Sequence, residues 1–96
     1  MPVTEVAILE LVHPHTVNSP SIREFFRKAG THQAKWSGYP VWWFESTSAP
    51  SRIYLISGWA GVEAHEEWIV SAENKALLKE GEGLIVVIDL MHVEID

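Results

Sequence analysis

Cysteine is absent from the 96 residues, which excludes disulfides, thiolate metal sites and a thiol nucleophile. Basic residues are scarce: seven Lys and Arg stand against 13 Asp and Glu, a net charge of −6. They form no cluster, so a phosphate backbone would be repelled over most of the surface and nucleic acid is excluded as an expected partner. No apolar run approaches the ~18 residues that signal a membrane span. The N-terminal stretch MPVTEVAILELVHPH has no basic segment before its apolar one and carries Glu5 and Glu10. The expectation is a cytoplasmic protein without a signal peptide or a membrane partner. There is no phosphate-cradling glycine loop, and His13-Pro14-His15 offers an H-x-H spacing without a third ligand. No flavin, haem or bound metal is expected, and no cofactor of any other kind.

What the chain has is apolar and aromatic. Hydrophobic residues make up 47% and tryptophan occurs five times, which suits one self-sufficient domain over 1–96. Indoles are costly to leave without a buried role, and five together leave some to line a pocket. A chain this small without covalent staples often gains stability by pairing with a second copy.

Periodicity divides the chain into strands and helices. Val3 to Val12 alternates with apolar residues on both faces and ends at Pro14, which cannot donate to a ladder. Ser19 and Pro20 suit a helix start, and Ile22, Phe25, Phe26 and Ala29 fall on one stripe that Gly30 is expected to end. Val41 to Glu45 and Arg52 to Ala60 read as the arms of a hairpin across a Ser- and Pro-rich turn. Within the second arm, Tyr54 and Ile56 share one face and Ile53, Leu55, Ser57 and Trp59 the other. Val62 to Val70 and Glu73 to Glu80 are helical, the latter capped by Ser71, and Leu84 to Ile95 is a long final strand. The order is β-α-β-β-α-β with the second helix split, an α+β, ferredoxin-like arrangement.

The segment GWAGVEAHEEWIVSAENKALL, from Gly58 to Leu78, resembles the W-x-S-x-E-A-H-x-x-(aromatic)-x-x-S motif of the dimeric α+β barrel proteins, and most of all their antibiotic-biosynthesis-monooxygenase-like group. Stress-responsive dimeric α/β-barrel proteins share it. The resemblance implies a homodimer with a pocket between sheet and helices in each protomer. It also implies that Trp59, at the end of the third strand, borders the substrate and helps dioxygen react with an electron-rich anion, with no flavin or metal. Haem-degrading relatives need a histidine where Trp68 stands. The plant cyclase among the relatives needs a tyrosine and a basic histidine where Trp68 and Asn74 stand. The resemblance therefore argues against haem chemistry and against that cyclase mechanism.

The candidate site follows. Trp59 and Trp68 shape a hollow, and Asn74 adjoins it. Trp42 and Trp43 must point to opposite faces of their strand, and Trp43 is the one taken as a pocket residue, with the sides left open. Histidine titrates near neutrality, so His65, one turn before Trp68, is the first candidate base and His13, where loops meet, the second. His65 also belongs to the common E-A-H motif, for which a helix-anchoring or surface role is the plainer reading. His92 is read as interface packing, with the barrel interior as the alternative, His32 as a loop residue, and Glu63, Glu66, Glu67 and Glu73 as a solvated helix face. The expected substrate is an apolar aromatic or polyketide-like molecule of secondary metabolism, to be oxygenated, cyclised or isomerised. The alternative is a stress-associated protein that binds such a molecule without chemistry.

Overall fold

A computed structural model describes residues 2–94. The elements run β1 (Val3–Leu11), α1 (Pro20–Ser37), β2 (Val41–Glu45), β3 (Arg52–Trp59), α2 (Val62–Ile69), α3 (Ala72–Glu80) and β4 (Ile85–Val93). The strands form one antiparallel sheet in the order β2-β3-β1-β4, with the helices on one face. Element order and hairpin match the sequence expectation, except that residue 95 of the final strand lies outside the described residues.

Register decides which side chains meet the helices. Glu5, Ala7, Leu9 and Leu11 of β1 are all buried, and so are Ile53, Leu55, Ser57 and Trp59 of β3. Both strands alternate cleanly, as half-covered antiparallel strands do. β4 does not. Its pairing slips between Ile8 and Leu9 of β1, so that Val87 faces Leu9 while Leu90 faces Ala7 and His92 faces Glu5. A bulge of this kind reverses the alternation beyond it. It turns Leu90 and His92 to the same side as Ile85 and Val87.

The first helix is longer than its stripe predicts. Gly30 does not stop it; the helix continues to Ser37 and ends at Gly38, which adopts the left-handed conformation (φ 81°) and donates its N–H to Ala34 O. Gly30 has a packing role instead, since a Cβ there would sit 3.1 Å from Trp43 Nε1. His32 is thereby helical, with Nδ1 3.0 Å from a Glu73 carboxylate oxygen across the helix surface. Ser19 precedes the helix without capping it; its hydroxyl accepts from the Thr16 N–H. Ser71 does cap α3, accepting from the Asn74 N–H at 3.1 Å.

Two apolar clusters hold the helices to the sheet. One joins Ala7, Leu9 and Leu11 of β1 to Ile53 and Leu55 of β3 and Ile22 of α1. The other joins Trp59 of β3 to Trp68 of α2 and Leu77 of α3.

Candidate functional site

Between sheet and helices lies a cavity of about 230 Å³ whose walls draw on both clusters. The sheet contributes Ala7, Leu9, Trp43, Leu55, Ile85, Val87 and Leu90; the helices contribute Phe25, Ala29, Trp68, Ile69, Leu77 and Leu78. Its polar lining residues are Glu5, Gln33, His65 and Asn74. An apolar hollow with a few convergent polar groups is the usual form of a small-molecule site.

Trp43 is the member of its pair that enters this cavity. Its ring stacks on Phe26 of α1, with centroids 4.3 Å apart and planes 7° from parallel. Trp42 turns to the opposite face of the sheet and is 56% exposed. Trp68 lines the cavity and leans against Trp36, with centroids at 5.4 Å. Asn74 is held at the wall by its side-chain amide, which donates to Ile69 O at 3.2 Å.

Trp59 is placed differently from the expectation. It is fully buried and is not among the cavity-lining residues. The alternation of β3 points it inward, and its indole reaches across to β1, where Nε1 donates to Glu5 Oε1 at 2.9 Å. One face of the indole stacks on the His65 ring, with centroids 4.5 Å apart. The tryptophan thus backs the polar groups that line the cavity instead of bordering it.

Those groups centre on Glu5, which is only 3% exposed. Its Oε1 accepts from Trp59 and from Gln33 Nε2 at 3.2 Å, and His65 Nε2 lies 3.4 Å away. On its other side, His65 Nδ1 is 2.6 Å from His92 Nε2, a hydrogen bond between the two imidazoles. The tautomer that suits every partner carries the proton on His65 Nε2, toward the carboxylate, and leaves Nδ1 to accept from His92.

Burial governs the charges. Desolvation, with the neighbouring His92 as a lesser cause, lowers the His65 pKa from its ordinary 6.5 to about 4, so the ring is neutral at pH 7. Its approach to Glu5 is then the contact of a neutral imidazole with a carboxyl group, not an ion pair. Desolvation pushes Glu5 the other way, above the usual carboxylate range, against the opposing pull of the Trp59 and Gln33 hydrogen bonds and of His92.

His13 lies outside this constellation. It sits exposed in the turn after β1 and is absent from the cavity wall. The acidic residues Glu63, Glu66, Glu67 and Glu73 are exposed, as expected of a solvated face. Among the described residues no three potential metal ligands gather.

Glu5, Gln33 and His92 were not among the sequence candidates. Glu5 gave one signal: by alternation it shares a face with Ala7, Leu9 and Leu11, an acid in an otherwise apolar set. Gln33 lies beyond the glycine at which the helix was expected to stop. His92 reads from the sequence first as interface packing, and plain alternation from Ile85 sends it to the face opposite the one it takes.

No family model and no curated protein sequence matches the chain. Solved structures do match. The fold is similar to that of SnoaB, a cofactor-independent oxygenase from Streptomyces nogalater, with a TM-score of 0.81 at 11% identity over 99% of this chain and 93% of that one. It is similar to a Bordetella bronchiseptica protein named for the antibiotic biosynthesis monooxygenases, with a TM-score of 0.69 at 26% identity over 99% and 97% of the two chains. A Deinococcus radiodurans protein named in the same way gives a TM-score of 0.74 at 12% identity over 100% and 93%. The chain therefore has the α+β, ferredoxin-like fold of these proteins. Within that class it resembles the antibiotic-biosynthesis-monooxygenase-like group.

Proposed function

We propose that this chain is a small enzyme that takes a flat, apolar aromatic or polyketide-like molecule into the sheet–helix cavity and oxygenates, cyclises or isomerises it without a flavin, haem or metal. The observation that carries the reading is the buried Glu5–His65 pair in the wall of an otherwise apolar cavity, continued by the half-buried His92 behind it. Burying a carboxylate and an imidazole costs stability unless they are paired, and titratable groups with shifted pKa values in a cleft, as Glu5 and His65 are, mark candidate sites of chemistry. Apolar walls would orient the substrate while these groups handle its acidic proton. In an oxygenation the substrate anion would supply the electrons and dioxygen would be the second reactant. The likeness to a cofactor-independent oxygenase supports this class of reaction.

The working form is a homodimer. The sheet face away from the helices carries Trp42, Phe44, Val86 and Met91, all exposed, around the half-buried Val6 and Ile56. A second copy laid on that face would remove this apolar surface from water.

A second reading, binding without chemistry, is favoured by one observation. Trp59, which the resemblance assigns to dioxygen activation, is sealed behind Glu5 and His65. One experiment separates the two readings. The protein is incubated in air with a panel of anthrones and hydroxynaphthalenes while oxygen uptake and product masses are followed. A product heavier by one oxygen atom, or a cyclised or isomerised product, supports the enzyme. Saturable quenching of tryptophan fluorescence with no product on any member of the panel supports the binding protein and rejects the enzyme.

A further inference from the structure

Among the described residues, Glu5 and His65 are the two ionisable ones in the cavity wall. Neither His65 nitrogen is free for a substrate. Nδ1 is bonded to His92, and Nε2 lies against Glu5 Oε1. The low pKa of the ring also makes it a weak base. Glu5 differs. Its Oε1 is occupied by Trp59 and Gln33, but its Oε2 receives no hydrogen bond from the described residues. No fully sealed polar atom among those residues lacks a partner. A residue that is 97% buried, lines the cavity and keeps one oxygen unpartnered has that oxygen available to an occupant.

We propose that Glu5 is the catalytic base of this site, acting through Oε2 on an aromatic or enolic hydroxyl of the cavity's occupant, while Trp59, Gln33 and the His65–His92 pair act as positioning residues. The inference rests on the cavity reading above and deepens it. In the step, the substrate O–H bond breaks and its proton bonds to Oε2. The negative charge moves from the carboxylate to the substrate oxygen, so charge and atoms balance without a co-reactant.

The chemistry selects a substrate class. A simple phenol titrates near ~10, far above an ordinary carboxylate at ~4.3. Burial of Glu5 narrows that gap from one side. The substrate must narrow it from the other, so the fitting class is phenols and enols acidified by a conjugated electron-withdrawing group. The groups facing Glu5 from the elements packed around it are Gln33 of α1, Trp59 of β3, His65 of α2 and His92 of β4. Gln33 and Trp59 do not titrate in this range, and His65, its pKa lowered by burial, is neutral on the alkaline side, where the test is read.

The probes are 4-nitro-1-naphthol, an acidified phenol, and its methyl ether, which has no proton to lose. Dissociation constants are measured by tryptophan quenching from neutral to alkaline pH, in the wild type and in Glu5→Gln. In the wild type, site and anionic naphthol together hold one proton, so affinity for the naphthol should fall about tenfold per pH unit once both partners are ionised. Affinity for the ether should stay flat. In Glu5→Gln both profiles should be flat, and ether binding close to wild type shows that the variant is folded. A flat naphthol profile in the wild type rejects Glu5 as base without recourse to the variant, and so does a wild-type slope in Glu5→Gln. Failure of the wild type to bind either probe rejects the cavity reading itself, and the base assignment with it.

Discussion

Trp59 and His65 show how a side chain's partners, more than its type, decide what it does. An indole at the end of β3 next to a motif histidine suggests a substrate wall, yet both faces of this ring are used by the protein and its N–H is tied to Glu5. Trp59→Ala should therefore act first on stability. Truncating a fully buried tryptophan leaves a cavity and costs about 3–5 kcal/mol, a large part of what a domain of this size has. Urea unfolding monitored by circular dichroism tests this; a loss below about 1 kcal/mol would return Trp59 to the substrate wall.

His65 makes stability depend on pH. Its folded pKa of about 4 lies below its unfolded 6.5. Between those values the unfolded chain binds a proton that the native state refuses. The contribution of His65 is therefore complete above about pH 6.5 and is lost as pH falls toward 4. The loss over that window is on the order of 3 kcal/mol. Glu5, shifted upward by burial, acts in the opposite sense, so the two must be separated. The separating measurement is the stability difference between wild type and His65→Gln, which should shrink by that amount from pH 7 to pH 4. A constant difference would mean that the histidine titrates normally.

At the scale of elements, the cavity exists because helices are held off the sheet at some points and pressed to it at others. Gly81, at the end of α3, is one point of close approach. A Cβ there would lie 2.8 Å from Phe25 Cζ, and Phe25 is a cavity wall. The backbone at Gly81 suits any residue (φ −79°), so the cost of Gly81→Ala is steric alone. The ring must move, at about 1–3 kcal/mol for overpacking. Affinity for a cavity ligand should drop several-fold while the helix content stays unchanged. Ligand titration and circular dichroism on the same variant check both halves. Gly30 plays the matching part in α1, where the lack of a side chain admits the edge of Trp43.

The whole molecule has one covered sheet face and one open one. On the open face Trp42 pairs with Ile56 and Phe44 with Tyr54, while Val6 pairs with Met91. These residues form an apolar surface that the chain's own helices cannot reach. Light scattering at micromolar concentration should give about twice the 10.8 kDa protomer mass. The double variant Phe44→Lys with Met91→Lys should run as a monomer, because two buried like charges would face each other across the two-fold interface. A wild-type monomer would reject the homodimer.

Local rules carried the sequence reading a long way for definite reasons. Period-two alternation put Leu55 and Trp59 on one face of β3 and Tyr54 and Ile56 on the other, because strand geometry leaves no other choice. The apolar stripe of α1 and the Ser71 cap of α3 are likewise set by neighbours a few residues away. Three features were settled only by contacts between distant segments. Helix α1 runs through Gly30 because Trp43, 13 positions on, packs where a side chain would be. His92 reaches His65 because the β4 bulge reverses an alternation that the sequence by itself would continue. Glu5 becomes the centre of the site because Trp59, Gln33, His65 and His92 converge on it from separate elements. Periodicity records which way a side chain points, and it determined the layers of this protein. Which side chains then meet depends on register and helix placement, and those were decided by packing across the whole chain.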